Sequence, residues 1–241
     1  MQSRLNAPRA LVFGGTGAVG SAVLRALGQA GVDTAFTWNR SAEHARVLGT
    51  ELSMRAIQVD LADATRTRAA LRDLAAVGFF PSVFIHCAGV NTATALADIT
   101  DEDWGLMQAV NCHSALVAIQ ELAPRMAQEK EGHIVLVGAL DRSQSAPMPV
   151  HFAASQGALS AMAMAVAKEL GPSGVRINVV SLGLLDSGLG RAVSPKLVAE
   201  YKSFSALRRL GRPDEVAKAI VWLATENTYM NGRVLSVNGG L

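Results

Sequence analysis

The feature that most limits the fold of this chain is a regular alternation of short apolar runs with longer amphipathic stretches. The apolar runs are rich in β-branched residues and mostly lack polar alternation, which is typical of strands buried on both faces of a parallel sheet. Seven strands are predicted, at residues 10–14, 34–38, 55–59, 83–87, 133–137, 176–180 and 233–237. The alternation therefore predicts an α/β fold, a Rossmann-type doubly wound sheet of seven parallel strands with helices on both faces.

Helical patterns fill the intervals between these strands. They cover residues 18–28, 42–49, 65–77, 101–129, 152–171 and 213–224. No linker, repeat or low-complexity segment interrupts the pattern, so residues 1–241 are predicted to form one domain. Residues 182–212 are the one long stretch without a predicted strand. Because loops after parallel strands lie over the ligand crevice, we expect this stretch to form a lid over a substrate.

Composition argues against several classes of protein. Half of the 241 residues are hydrophobic and 17% are charged, so the chain can bury a large core. A net charge of +2, taken as evenly spread, indicates neither a nucleic-acid partner nor an anionic membrane, and no apolar run approaches the roughly 18 residues of a membrane span. Cys87 and Cys112 lack metal-ligand spacing with the five histidines, which predicts reduced thiols in a cytoplasmic protein without a metal site.

A glycine-rich stretch, "LVFGGTGAVGSAVLRALG", joins the first predicted strand to the first predicted helix. Gly14, Gly17 and Gly20 would let the backbone turn tightly and approach a pyrophosphate at the helix N-terminus. A glycine triplet alone is a weak signal and also fits a purely structural turn. Its position at the first strand-to-helix turn of an alternating chain favours dinucleotide binding.

The end of the second predicted strand indicates which dinucleotide would bind. Asn39, Arg40 and Ser41 stand there, where a site for NAD would carry an acid for the ribose hydroxyl. A guanidinium suits a 2′-phosphate, so NADP(H) is predicted, although a solvated surface arginine is the alternative. Asp60, after the third strand, is placed either to accept a hydrogen bond from the adenine amino group or to cap a helix.

Further motifs follow one another along the whole chain: "GGTGAVG", "TWNRS", "VDLAD", "HCAG", "AVNCHSA", "HIVLVGAL", "HFAASQGAL", "GVRINVVSLG", "LRRLGRPDEVAKAIVWLA" and "GRVLSVNGG". In this order they resemble the motifs of the short-chain dehydrogenase/reductase family, and among its members those of the β-ketoacyl-[acyl carrier protein] reductases. Together, the glycine turn and the resemblance give a predicted set of cofactor residues. It comprises Gly14, Thr16, Gly17, Val19, Gly20, Asn39, Arg40, Ser41, Asp60, Leu61, Ala88, Gly89 and Asn111.

The resemblance breaks at the residues that would carry the chemistry. The family uses an Asn, a Ser after the fifth strand, and Tyr and Lys at the start of the next helix. Aligning "HFAASQGA" with that helix places Phe152 at the Tyr position and Gln156 at the Lys position, and Ala139 stands where the Ser is expected. Asn111 alone is retained. The resemblance therefore implies that standard ketoreductase activity is absent or very weak.

His151, Asp141 and Arg142 are candidates for a substitute acid or a ligand contact. His151 adjoins Phe152, but neighbours at a helix start point in different directions, so it is expected to face solvent or another subunit. Asp141 and Arg142 follow the fifth strand, on a loop that lines the substrate crevice in the family. A polar ligand contact and a solvated turn both remain open for them.

Two functions follow from these observations. The first is a non-catalytic, structural or regulatory subunit that binds NADP(H) in fatty-acid or polyketide-type biosynthesis. The second is an oxidoreductase, isomerase, dehydratase or cyclase with non-standard residues, such as His151 or Asp141, acting on a β-ketoacyl or polyketide-like substrate. Small or flexible residues recur on the helix after Phe152 and favour close approach of another helix. They are Ala153, Gly157, Ser160, Ala161 and Met164.

In the resembled family, that helix and the helix containing Asn111 form the main subunit interface, and the last strand forms a second one. The expected partners are therefore a second copy of the chain, as a dimer or tetramer, or an active reductase paralogue in a hetero-oligomer. A substrate bound to acyl carrier protein is a further expectation. No nucleic acid or membrane is expected as a partner.

Overall fold

The computed structural model describes residues 8–139 and 148–241. The strands are β1 (Arg9–Phe13), β2 (Asp33–Trp38), β3 (Arg55–Gln58), β4 (Val83–His86), β5 (Gly132–Gly138), β6 (Val175–Leu182) and β7 (Val234–Val237). The α-helices are α1 (Ala18–Gln29), α2 (Ala42–Glu51), α3 (Ala64–Ala76), α4 (Asp101–Gln108), α5 (Ser114–Glu129), α6 (Val150–Leu170), α7 (Pro195–Phe204) and α8 (Pro213–Thr225). Short 3₁₀ turns cover Leu96–Asp98, Gly171–Ser173 and Gly188–Ala192.

The strands form one sheet in the order β3-β2-β1-β4-β5-β6-β7, and each pairing is parallel. The predicted seven-stranded doubly wound sheet is confirmed. The chain order reverses between β1 and its neighbour β4. In sheets of this kind the reversal opens a crevice at the carboxyl ends of the strands, where ligands bind.

Each face of the sheet has its own hydrophobic core. Leu11 of β1 belongs to the cluster formed with α3, α5 and α6, whereas the next residue, Val12, belongs to the cluster formed with α1, α2 and α8. Successive residues of a strand point to opposite faces, so a strand covered on both sides must be apolar at every position. This requirement explains why the strands appear in the sequence as continuous apolar runs.

The predicted helix over residues 101–129 is interrupted. A π-helical turn at Ala109–His113 separates α4 from α5, and this turn carries Asn111. A π turn inserts one extra residue into the helical ladder, which changes the direction of the side chains around it. Asn111 is thereby buried, with 1% of its surface exposed.

Helix α6 lies within the fold but also has the length and composition of a membrane span. The stretch Val150–Ser173 meets both criteria, contrary to the expectation that no segment would. Leu159 and Ala163 of α6 are buried in the core with β6. Packing against β6 accounts for the apolar residues on this side of α6, whereas only 33% of its most apolar window is buried in the single chain.

Residues 182–212 contain more structure than the sequence suggested, since α7 lies within them. The Tyr201 hydroxyl donates to Asn238 O at 2.7 Å, and the Ser205 hydroxyl donates to Gly239 O at 2.9 Å, so the end of α7 is fixed to the residues after β7. The segment carries six basic and two acidic residues. The excess of positive charge is therefore concentrated in this segment, and the expectation of an even spread is wrong.

Candidate functional site

The glycine turn after β1 is built from backbone contacts that require glycine. Gly14 has a φ of 78°, its N–H donates to Thr37 Oγ1 at 3.1 Å, and its carbonyl accepts from Gly17 N at 3.0 Å. A Cβ at Gly14 would lie 2.7 Å from Ala88 Cα, and one at Gly20 would overlap the Gly14 carbonyl oxygen. The turn thus packs against the end of β4 with no room for side chains.

Helix α1 begins at this turn without a side-chain cap. Gly17 occupies the N-cap position and makes no side-chain hydrogen bond, and the first turn of α1 carries no acidic residue. The N–H groups at the start of the helix, with the positive end of its dipole, therefore face the crevice. The free N–H groups at the uncapped start of α1, with no side chain at Gly14 and Gly17, form a cradle that fits a pyrophosphate. Thr16 and Val19 lie in the same turn and are partly buried.

The end of β2 presents one free cation beside this cradle. Asn39, Arg40 and Ser41 are all exposed, and Gln58 Nε2 donates to Asn39 O at 3.2 Å. Within the part of the chain that the structure describes, the Arg40 guanidinium makes neither an ion pair nor a hydrogen bond. It is therefore available to a phosphate group, as its predicted contact with a 2′-phosphate requires.

Asp60 does not cap a helix. Its Oδ1 accepts from Ala62 N at 3.0 Å, whereas Asp63 is the residue that caps α3, by accepting from Arg66 N at 3.0 Å. The helix-cap alternative for Asp60 is therefore wrong, because the helix starts one residue after Asp63. The exposed carboxylate of Asp60 keeps a free oxygen beside the buried Leu61.

Asn111 connects the loop after β4 to α6. Its Oδ1 accepts from Val90 N at 2.8 Å, while its Nδ2 donates to Val90 O at 3.0 Å and to Ser155 Oγ at 3.0 Å. The stretch from Ala88 to Val90 is therefore held in place by a side chain of the π turn. Gly89 lies next to it, since a Cβ there would be 3.7 Å from Asn111 Oδ1.

Gln156 joins α6 to the end of β5. Its Oε1 accepts from Ala139 N at 3.1 Å, and its Nε2 donates to Ser155 Oγ at 3.3 Å. The Ser155 hydroxyl in turn donates to Phe152 O at 2.7 Å. The structure therefore brings together Asn111, Ala139, Phe152 and Gln156, which the sequence analysis had singled out, in one network without charged groups.

His151 does not face solvent, contrary to the sequence-based expectation. The side chain is fully buried, its Nε2 lies 2.8 Å from Thr92 Oγ1, and its carbonyl accepts from Gln108 Nε2 at 3.3 Å. The expectation failed because α6 begins at Val150 rather than at residue 152, which moves His151 into the first turn and against the loop after β4. Asp141 and Arg142 lie outside the described residues.

Comparison with protein-family models identifies the family to which this fold belongs. The model of the family described as enoyl-(acyl carrier protein) reductase matches residues 15–241, nearly the whole chain. The chain belongs to the short-chain dehydrogenase/reductase family. The resemblance that the motifs suggested is thereby confirmed.

Three similar proteins illustrate the range of this family. The cyclic-di-GMP-binding biofilm dispersal mediator protein of Escherichia coli is 30% identical, covering 95% of this chain and 94% of its own. The 3-oxoacyl-[acyl-carrier-protein] reductase of Staphylococcus aureus is 24% identical, covering 96% and 97%. A blue fluorescent protein from a metagenomic library, solved in complex with NADPH, is 30% identical with a TM-score of 0.89, covering 99% of both chains. The predicted nicotinamide cofactor agrees with the last of these.

Two buried titratable side chains lie at the carboxyl end of β4 in this short-chain dehydrogenase/reductase. His86 is fully buried beside Ser114, with Nε2 and Oγ 2.7 Å apart, and burial lowers its pKa to about 4. Burial likewise raises the pKa of the adjacent Cys87 thiol to about 12. Both groups are therefore neutral at neutral pH. Ser155, the centre of the polar network, was not predicted, because a serine among small helical residues carries no distinguishing signal.

The segment 182–212 reaches across to the glycine turn. A Cβ at Gly188, whose φ is 64°, would lie 3.1 Å from Ala18 Cβ, and one at Gly89 would lie 3.9 Å from a methyl group of Leu189. The 3₁₀ turn Gly188–Ala192 thus borders both the start of α1 and the loop after β4.

Proposed function

We propose that this chain is an NADP(H)-binding short-chain dehydrogenase/reductase that lacks ketoreductase activity and acts as a structural or regulatory subunit. The observation that carries the proposal is the carboxamide of Gln156, held by Ala139 N–H and Ser155, with Phe152 on the same helix. The resemblance places Lys, Ser and Tyr at positions 156, 139 and 152 in active members. A phenyl ring has no proton to give, and a carboxamide supplies no charge that lowers a neighbouring pKa.

Dinucleotide binding is supported by the backbone cradle at Gly14 and Gly20, the uncapped start of α1 and the free guanidinium of Arg40. We assign Asn39, Ser41, Asp60 and Ala88 to the same site. The NADPH complex of the metagenomic relative supports the same cofactor class. In bound form the dinucleotide would supply hydride chemistry, which the substituted residues of this chain could not complete by protonating a carbonyl oxygen.

The subunit role is supported by an uncovered face of α6. Gly157, Ala161 and Met164 are exposed in the single chain, and nothing lies within 4 Å of a Cβ at Gly157. Such a face suits close approach of another helix, either in a homodimer or homotetramer or in a hetero-oligomer with an active reductase paralogue. Fatty-acid or polyketide-type biosynthesis in the cytoplasm, with substrates on acyl carrier protein and segment 182–212 as the lid, is the setting we infer.

The deciding experiment titrates the purified protein with NADPH and with NADP⁺ while turnover of a β-ketoacyl thioester is followed in the same sample. Binding without turnover is the expected result. Turnover at the rate of an active reductase would overturn the non-catalytic role, and failure to bind either form would overturn the dinucleotide site. Co-purification with a reductase paralogue, followed by assay of its activity, tests the subunit role.

A second candidate function is binding of cyclic di-GMP. It is favoured by the name of the Escherichia coli relative, which is described by what it binds rather than by a reaction. Calorimetric titration with cyclic di-GMP, repeated with excess NADPH, distinguishes the two, because a shared crevice makes the nucleotides compete. The enzymatic alternative with His151 as acid is less well supported, because His151 Nε2 is engaged with Thr92 in the interior.

A further inference from the structure

The sheet order divides the proposed dinucleotide crevice into two halves. The glycine turn follows β1, which has β2 on one side and β4, then β5, on the other. A dinucleotide whose pyrophosphate lies at the start of α1 and whose 2′-phosphate meets Arg40 has its adenosine over β2. Its nicotinamide half must then extend over β4 and β5, where Asn111, Ala139 and Gln156 lie.

Among the described residues, the side chains that lie at this second half, which we call its floor, are uncharged; residues 140–147, which follow Ala139, lie outside the described part of the chain. Asn111, Ser155 and Gln156 are neutral groups that satisfy one another and the Ala139 N–H. The two titratable groups at the end of β4 are also neutral at neutral pH, since burial lowers the pKa of His86 to about 4 and raises that of Cys87 to about 12.

The two redox forms of the cofactor differ in charge at the end that this floor would meet. The nicotinamide ring of NADP⁺ is a pyridinium with one positive charge, whereas the ring of NADPH is neutral. An ammonium group held near the ring disfavours the pyridinium by Coulomb repulsion, and at separations of a few ångströms within a protein the effect is about tenfold or more in binding. A carboxamide exerts no such repulsion.

We propose that the crevice binds NADP⁺ at least as tightly as NADPH, and that the neutral side chain of Gln156 sets this ratio. The inference rests on the proposed dinucleotide site and deepens it, because it specifies the form of the ligand that the subunit holds. A subunit with equal affinity for both forms would hold them in the proportion in which they occur in the NADP(H) pool, and a preference for NADP⁺ would enrich the oxidised form on it.

The test compares dissociation constants for NADP⁺ and NADPH, measured by calorimetry at neutral pH, in wild type and two variants. Gln156→Lys adds a positive charge, whereas Gln156→Met removes the same hydrogen bonds without adding one. Wild type is expected to bind NADP⁺ as tightly as NADPH or more tightly. Gln156→Lys should shift the ratio of the two constants about tenfold toward NADPH, and Gln156→Met should leave it within about twofold of wild type.

Tighter binding of NADPH by wild type, or the same ratio in all three proteins, would overturn the proposal. The wild-type ratio tests it even where a variant does not fold. If wild type binds neither form, the dinucleotide site itself is wrong, an outcome distinct from binding with the opposite preference.

Discussion

The backbone N–H of Ala139 donates to Oε1 of Gln156 at 3.1 Å and so connects the end of β5 to the second turn of α6. The side-chain carbonyl of Gln156 supplies the acceptor that this partly buried N–H needs. An ammonium group at position 156 would present only donors to it. Because the donor is a backbone group, the need for an acceptor at position 156 is the same for any residue other than proline at position 139.

Gln156→Lys is expected to destabilise the protein by about 1–3 kcal/mol, because Ala139 N–H loses its acceptor and a buried charge appears beside it. Urea denaturation at neutral pH measures the change. Gln29→Lys, at an exposed position near the end of α1, is the matched control and should stay within about 0.5 kcal/mol of wild type. An equally stable Gln156→Lys protein would show that the contact contributes little.

The triple variant Ala139→Ser, Phe152→Tyr, Gln156→Lys is expected to reduce a β-ketoacyl thioester with NADPH at least about 100-fold faster than wild type. A positioned general acid contributes about 10²–10⁴-fold, and the members of such a unit act together, so each single variant should remain close to background. Oxidation of NADPH, followed by absorbance, gives the rate. Wild-type turnover equal to that of the triple variant would contradict this expectation.

Arg40→Ala is expected to weaken binding of NADPH by about 10–100-fold and to leave that of NADH nearly unchanged, because only NADPH carries the 2′-phosphate. Fluorescence titration with both cofactors measures the two dissociation constants. The control is Arg46→Ala, which removes an exposed arginine of α2 that pairs with Glu43 instead. Equal losses for both cofactors would place the phosphate contact elsewhere.

Stability is expected to fall as the pH is lowered from about 6.5 to about 4. Because burial lowers the pKa of His86 to about 4, the unfolded state binds the proton first, at a maximal cost of about 1.4 kcal/mol per pH unit. Above pH 6.5 the contribution of His86 is constant. Urea titrations at several pH values give the free energy of unfolding as a function of pH. This free energy should fall less steeply with decreasing pH in His86→Asn than in wild type, whereas His44→Asn, at an exposed position of α2, should have the wild-type slope.

Gly157→Arg is expected to shift any oligomer toward monomer, because a long charged side chain on the uncovered face of α6 would block another helix. Light scattering coupled to size exclusion measures the mass. The monomer itself should fold normally, since nothing lies within 4 Å of a Cβ at Gly157. Gln29→Arg on α1 is the control, and an unchanged mass in Gly157→Arg would move the interface to another face.

The strands could be predicted from the sequence because helices cover both faces of the sheet. Consecutive residues of a strand, such as Leu11 and Val12, must then both be apolar, since each enters a different core. The π turn around Asn111 could not be predicted, because a helical hydrogen bond that spans one more residue requires no particular amino-acid composition. Helix α7 was missed because Tyr201 is its only buried residue, so that no apolar period marks it in the sequence.

The cofactor turn and the substituted positions could be located from the sequence, whereas the contacts of the side chains could not. His151 shows the reason. Its direction depends on whether α6 starts at Val150 or two residues later, and helix boundaries are the least determined part of any pattern. Likewise, nothing in the sequence pairs Gln156 with the amide of Ala139, because that contact requires β5 and α6 to be packed together.

The hydrogen bonds from Tyr201 and Ser205 to Asn238 O and Gly239 O make the residues after β7 a fastening point for segment 182–212. Trimming the chain before Asn238 would release α7 while leaving every residue of the crevice in place. An expression tag attached beside these residues would strain the same fastening. Changes at Asn238 or Gly239 are therefore expected to disturb segment 182–212 although neither residue lies within it.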